Sequence, residues 1–139
     1  MPRLSEFIIA VATKRLVKVD LPYGSNQHEI NANQAMRTLF GTTEHAQGTI
    51  TWHLYSDQSA EDPVVETFTF YDARVNKPHR SPEWRMYYGQ DSAIGRSFLA
   101  QTREGDVLIL VRTATDEVHG LVFPQDCAAL GVACRLFGI

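Results

Sequence analysis

Residues 64–74 read VVETFTFYDAR. Phe68 and Phe70 alternate with Thr67, Thr69 and Tyr71, the period of a strand with one buried face. The segment GTITWHLYSD, residues 48–57, repeats the pattern, with Ile50, Trp52 and Leu54 alternating with Thr51, His53 and Tyr55. Further along, Val107 to Val111 are apolar without interruption, as in a central strand buried on both faces. A REGD turn precedes that run, and the TATDE stretch after it predicts a hairpin into EVHGLVFP. The body of the fold is therefore expected to be a sheet.

Toward the N-terminus, Leu4, Phe7, Ile8, Val11 and Ala12 follow the spacing of one helix face. This predicts a helix from about Ser5 to Ala12, with Ser5 as its cap. The next run, TKRLVKVD, is β-branched and alternating, like a strand. LPYGSNQHEIN, residues 21–31, contains Pro22 and Gly24 and has no clean period, so it reads as a loop. Ala32, Ala35, Met36, Leu39 and Phe40 mark a second helix, with Asn31 and Gln34 as a capping box and Gly41 as its stop. At the far end Leu130, Ala133, Cys134 and Phe137 stand at helical spacing, with Asp126 as cap and Gly131 weakening the helix. Strands and helices do not alternate regularly, which argues against a doubly wound parallel sheet. The expected class is mainly β (α+β), a barrel-like sheet of mostly antiparallel strands with peripheral helices.

The 139 residues suit one domain spanning 1–139. No apolar run reaches the length of a membrane span. The N-terminal segment lacks a secretory layout, because Glu6, Lys14 and Arg15 interrupt it. An intracellular protein without a membrane partner is expected. Cys127 and Cys134 lie in one helical segment, about 10 Å of rise apart, too far for a disulfide. The chain stops directly after an apolar helix, which suggests a domain cut from a longer protein.

Charge is unevenly distributed. Residues 71–88, YDARVNKPHRSPEWRMYY, hold four Lys or Arg and two Asp or Glu, whereas the other residues hold nine and fourteen. A cationic loop on an acidic body is a local signal for a polyanionic partner, although charge alone equally fits a solvated surface. Arg74, Lys77, Arg80 and Arg85 suit phosphate or guanine, and Ser81 lies among them. Glu83 suits cytosine N4 or the orientation of its neighbouring arginines. Pro78 and Pro82 restrict the backbone. Arg85 falls in strand-like sequence, so a cross-strand ion pair is its alternative role. Trp84, Tyr87 and Tyr88 read as core or sheet-face residues. The earlier loop offers Ser25, Asn26, Gln27, His28 and Glu29, groups suited to most major-groove edges. Its plainer interpretation is a capped polar turn.

Catalytic signals are weak. There is no Glu-x-Lys or Asp-x-Lys pair of the common metal-nuclease type, and no lysine completes a site with Glu66 or Asp72. No G-x-S-x-G elbow, phosphate loop or HExxH pair is present. Two alternatives stay open at this point. One is a small hydrolase or ribonuclease with a spatial His/Asp site using His28 and His79. The other is a β module whose basic loop docks an acidic protein.

Taken together, KRL…GSNQHEIN, a helix ending LFG, FYDAR…RSPEWRMYY, GDVLILVRT and EVHGLVF resemble the N-terminal domain of the EcoRII-type restriction endonucleases. The resemblance covers nearly the whole chain in order. It implies a DNA-binding pseudobarrel similar to the plant "B-three" domain, whose two arms enter the major groove from opposite sides. It implies an N-terminal arm at about 21–31, with His28 beside Asn26 and Gln27, and a C-terminal arm at about 74–85. Arg80, Glu83 and Arg85 match the family's R…E-x-R recognition run. Lys77 matches less securely, because the spacing around the prolines differs. Family sites are of CCWGG type, and related domains read other sequences. The resemblance places nuclease chemistry, with its Mg2+, in a separate C-terminal domain. This domain would bind duplex DNA in the bacterial cytoplasm as a monomer, without a cofactor and without cutting.

Overall fold

A computed structural model of the chain describes residues 7–21, 29–41, 46–56, 62–77, 79–88 and 102–139. Its elements are β1 (Ile8–Arg15), a 3-10 turn (Lys18–Asp20), β2 (Glu29–Asn31), α1 (Gln34–Phe40), β3 (Ala46–Leu54), β4 (Val64–Asp72), β5 (Trp84–Tyr87), β6 (Val107–Thr113), β7 (Val118–Phe123) and α2 (Ala128–Phe137). Among the described residues seven strands form one sheet in the order β1-β6-β7-β3-β4-β5-β2. The sheet curls into a half-barrel of the pseudobarrel kind. Every neighbouring pair is antiparallel except β3 and β7, which run parallel from Ile50↔Val118 to Leu54↔Val122.

Strand alternation sorts the apolar residues onto two faces. Ile50, Trp52, Phe68, Phe70, Met86, Leu108 and Leu110 point to the inner face and form one cluster with Met36 and Leu39 of α1. Phe40 closes that cluster, with its ring 4.5 Å from Phe70 and 5.3 Å from Phe68. Gly120 lies opposite Trp52 in the β3–β7 ladder. A Cβ there would come within 2.5 Å of the indole ring, so this close approach requires glycine. On the outer face Val107, Ile109, Val111 and Phe123 pack against Leu130, Ala133 and Phe137 of α2. The uninterrupted apolar run in β6 is thus explained by burial on both sides.

The N-terminal helix is a correction. Ile8 to Ala12, expected in a helix, run as strand β1 and pair with β6. Ala12 joins the inner cluster while Ile8 and Val11 face the outer one. A strand buried on both faces is apolar at successive positions, and a bulge between Ile8 and Ala10 adds a residue. That combination imitates helical spacing. Ser5 lies outside the described residues. The expected strand at 13–20 ends at Arg15, and Lys18–Asp20 form the 3-10 turn.

Two caps are also corrected. The α1 cap is Asn33, whose Oδ1 accepts the Met36 N–H at 3.0 Å. Asn31 instead belongs to β2 and donates its N–H to Asp20. The α2 cap position is Cys127 and not Asp126, and it makes no side-chain cap bond. Cys127 and Cys134 are both free.

The edge strands β1 and β2 are tied through one buried carboxylate. Asp20, 1 % exposed, accepts from Lys14 Nζ at 2.9 Å, from the Val17 N–H at 2.9 Å and from the Asn31 N–H at 3.1 Å. Lys14 also donates to the Asn31 carbonyl, and the Tyr88 hydroxyl donates to the Asp20 carbonyl at 2.6 Å. The stitch draws the two edges of the curled sheet together and fixes the chain just before the first polar loop.

Candidate functional site

The two polar loops meet the sheet at one short ladder. β2 and β5 pair antiparallel, with Glu29↔Tyr87 and Asn31↔Arg85 in register. The first loop enters this ladder at Glu29. The second enters at Trp84, whose carbonyl accepts the Ala32 N–H at the opposite end. Because two residues of strand span about 7 Å, the loops are rooted a short distance apart, at opposite ends of the same ladder.

Of the predicted first-arm residues, Ser25, Asn26, Gln27 and His28 lie outside the described residues. Glu29 is the first residue of β2. Its Oε1 accepts from Arg85 Nη1 at 2.7 Å, across the diagonal of the ladder. Arg85 Nη2 in turn bonds Glu83 Oε2 at 2.8 Å, and the same oxygen lies 3.0 Å from Arg74 Nε. Arg74 Nη1 reaches the Ser81 carbonyl at 3.5 Å. Glu29, Arg85, Glu83 and Arg74 thus form one chain of alternating charge. It carries Arg85 in the cross-strand ion pair that strand-like sequence suggested. Burial opposes the charge on Arg85, but the hydrogen bonds and charges of Glu83 and Glu29 outweigh it and raise the guanidinium above its ordinary range.

The base of the second arm is organised by Asp72. Its Oδ1 accepts the N–H groups of both Arg74 and Glu83 at 2.9 Å, and the Ala73 N–H donates to the Glu83 carbonyl at 2.8 Å. Between these ends the arm coils through successive turns, Val75 N to Asp72 O, Lys77 N to Arg74 O and Arg80 N to Lys77 O. Lys77, His79, Arg80 and Ser81 are exposed at its tip. The side chains of Lys77 and Arg80 make no hydrogen bond or ion pair among the described residues. Pro78 lies outside them.

Sequence reading missed Asp72 as an organiser. The signal was present, since an Asp bonding the N–H two residues on is an Asx turn. Trp84 stacks 5.3 Å from Phe70 with the Arg37 guanidinium 5.6 Å over its ring, and Tyr88 is buried. Both are sheet and core residues. Tyr87 stacks on Tyr71 at 5.0 Å. Burial first, then the Tyr71 hydrogen bond and the Glu29 charge, push its hydroxyl well above the usual tyrosine range. Glu66 is buried on the inner face and accepts from Trp52 Nε1 at 2.6 Å. Glu66 is therefore not presented as a surface carboxylate, and one oxygen of the half-buried Asp72 is committed to the backbone of the arm.

A second polar cluster, also missed, lies on the parallel joint. His53 Nε2 and His119 Nδ1 are 3.0 Å apart with stacked rings, and Glu117 is 3.6 Å from His119 Nε2. Burial, then the neighbouring His119, lower the His53 pKa below its ordinary value. Among the described residues no group of three His, Cys, Asp or Glu converges to hold a metal ion, and no helix is long and apolar enough to cross a membrane.

No family model matches this chain, and no curated protein matches it.

Proposed function

We propose that the chain binds duplex DNA in a sequence-specific way, with the segments 21–31 and 74–85 as two arms in the major groove. The observation that carries this proposal is the common root of the two polar loops. They leave opposite ends of the β2–β5 ladder, and one of them presents the exposed cations Lys77 and Arg80. Two arms flanking one short ladder suit a groove about 12 Å wide. Exposed lysine and arginine at an arm tip supply the phosphate contacts that set register on a duplex. The half-barrel is also the architecture implied by the resemblance to EcoRII-type N-terminal domains. On this reading the domain is the specificity or effector module of a restriction endonuclease. Cleavage and its Mg2+ would then belong to a nuclease domain outside this chain.

A selection from random duplexes, followed by affinity measurements across salt concentrations, tests the proposal. The expected result is an enriched consensus, affinity that falls steeply with salt, and no cleavage with or without magnesium. Absence of salt-sensitive duplex binding sinks it. Turnover of labelled RNA by this chain would favour a ribonuclease instead.

A further inference from the structure

We infer that Arg85 and Arg74 do not read DNA but are positioning residues, locked by Glu29 and Glu83, and that Lys77 and Arg80 carry the second arm's contact with the phosphate backbone. The inference rests on the DNA-binding reading above and divides its residues differently from the R…E-x-R resemblance.

Arg85 is held by two carboxylates at once, Glu29 at 2.7 Å and Glu83 at 2.8 Å. The side chains of these three residues are 24 %, 12 % and 26 % exposed. To reach a guanine, Arg85 would have to leave both. Glu83 would keep Arg74 and Glu29 would keep the Tyr87 hydroxyl, but Glu29 would lose its ionic partner and face a polyanion as a part-buried anion. Giving up two charge-assisted hydrogen bonds offsets what one bidentate base contact returns. Arg74 is held more loosely, by the shared Glu83 oxygen at 3.0 Å, with the Ser81 carbonyl at 3.5 Å. The two arginines and two glutamates cancel, so this cluster offers no net charge to DNA. What it does is mechanical. Glu29 begins β2 at the root of the first arm and Glu83 ends the second, so Arg85 joins the two roots. Asp72 closes the second arm from below. Lys77 and Arg80 sit beyond this lock on a tip held by backbone turns. Their charges are uncompensated among the described residues.

The roles separate in the salt dependence of affinity for a selected duplex. Lys77→Ala and Arg80→Ala are each expected to reduce the slope of log K against log salt by about 0.9, the value of one lost phosphate contact. Arg85→Ala, Glu29→Gln and Glu83→Gln are expected to keep the wild-type slope. Each should weaken every sequence several-fold, and Glu29→Gln combined with Arg85→Ala should lose no more than either alone. Far-UV circular dichroism checks that each variant is folded. If Arg85→Ala fails to fold, the isosteric glutamine variants carry the comparison. Should Arg85→Ala lower the slope or make a single base pair indifferent while Glu29→Gln tightens binding, the inference is overturned and DNA binding stands. A wild-type chain with no salt-sensitive duplex affinity overturns both.

Discussion

Arg85 Nη1 and Glu29 Oε1 lie 2.7 Å apart across the diagonal of the β2–β5 ladder. β2 is only three residues long and forms one edge of the sheet. A short edge strand gains little from its own ladder, so a side-chain tie to β5 matters for its docking. Double-mutant cycles of Glu29→Gln and Arg85→Ala in urea unfolding should give a coupling energy of about 0.5–3 kcal/mol. Additive effects would show that the pair does not hold β2.

Asp20 should be among the most sensitive polar positions. Its side chain is fully buried beside Lys14 and receives two backbone N–H groups. Asp20→Ala strands a largely buried ammonium and those donors, a loss of about 3–5 kcal/mol. A denaturant midpoint within experimental error of wild type would contradict the stitch.

Gly120→Ala places a methyl group against the Trp52 ring. Overpacking of this kind costs about 1–3 kcal/mol. Because Trp52 lies across the parallel joint, near-ultraviolet circular dichroism should change together with the urea midpoint. A change in neither would place the indole elsewhere.

Stability should fall in mild acid. His53 has a lowered pKa in the fold, so the unfolded chain binds its proton more readily. In the window between the folded pKa and about 6.5 the unfolded state carries more protons, and stability rises with pH there. Above about 6.5 this contribution is complete and flat. Urea midpoints at several pH values, with His53 followed by NMR, check the sign. His119→Gln should raise the His53 pKa and reduce the acid loss.

Where one face met solvent, the sequence was transparent. Trp52 and Phe68 alternate with threonines, and β3 and β4 follow directly. The REGD and TATDE turns likewise carried their own chemistry into the β6–β7 hairpin. β1 was opaque because both its faces are covered, so Ile8, Val11 and Ala12 left no alternation to read. Asn31 and Asn33 have the same capping chemistry. Only the position of Asp20, eleven residues before Asn31, decides between them, and no local pattern records that. At the arms the residue types were visible but their partners were not. Whether Arg85 faces a base or Glu29 depends on the β2–β5 register, which a three-residue strand barely signals.

Lys14, Asp20 and Asn31 also bear on what happens when this protein fails. An open sheet has two terminal strands whose unpaired amides template association with other copies. Here those strands are drawn toward each other by a charged seam, beside which Asn33 Nδ2 donates to the Thr13 carbonyl of β1. Parting that seam loosens the hold on both adhesive borders at once. Variants at Lys14 or Asp20 should therefore be lost to exchange of strands between molecules and to precipitation at high concentration before they are lost to unfolding.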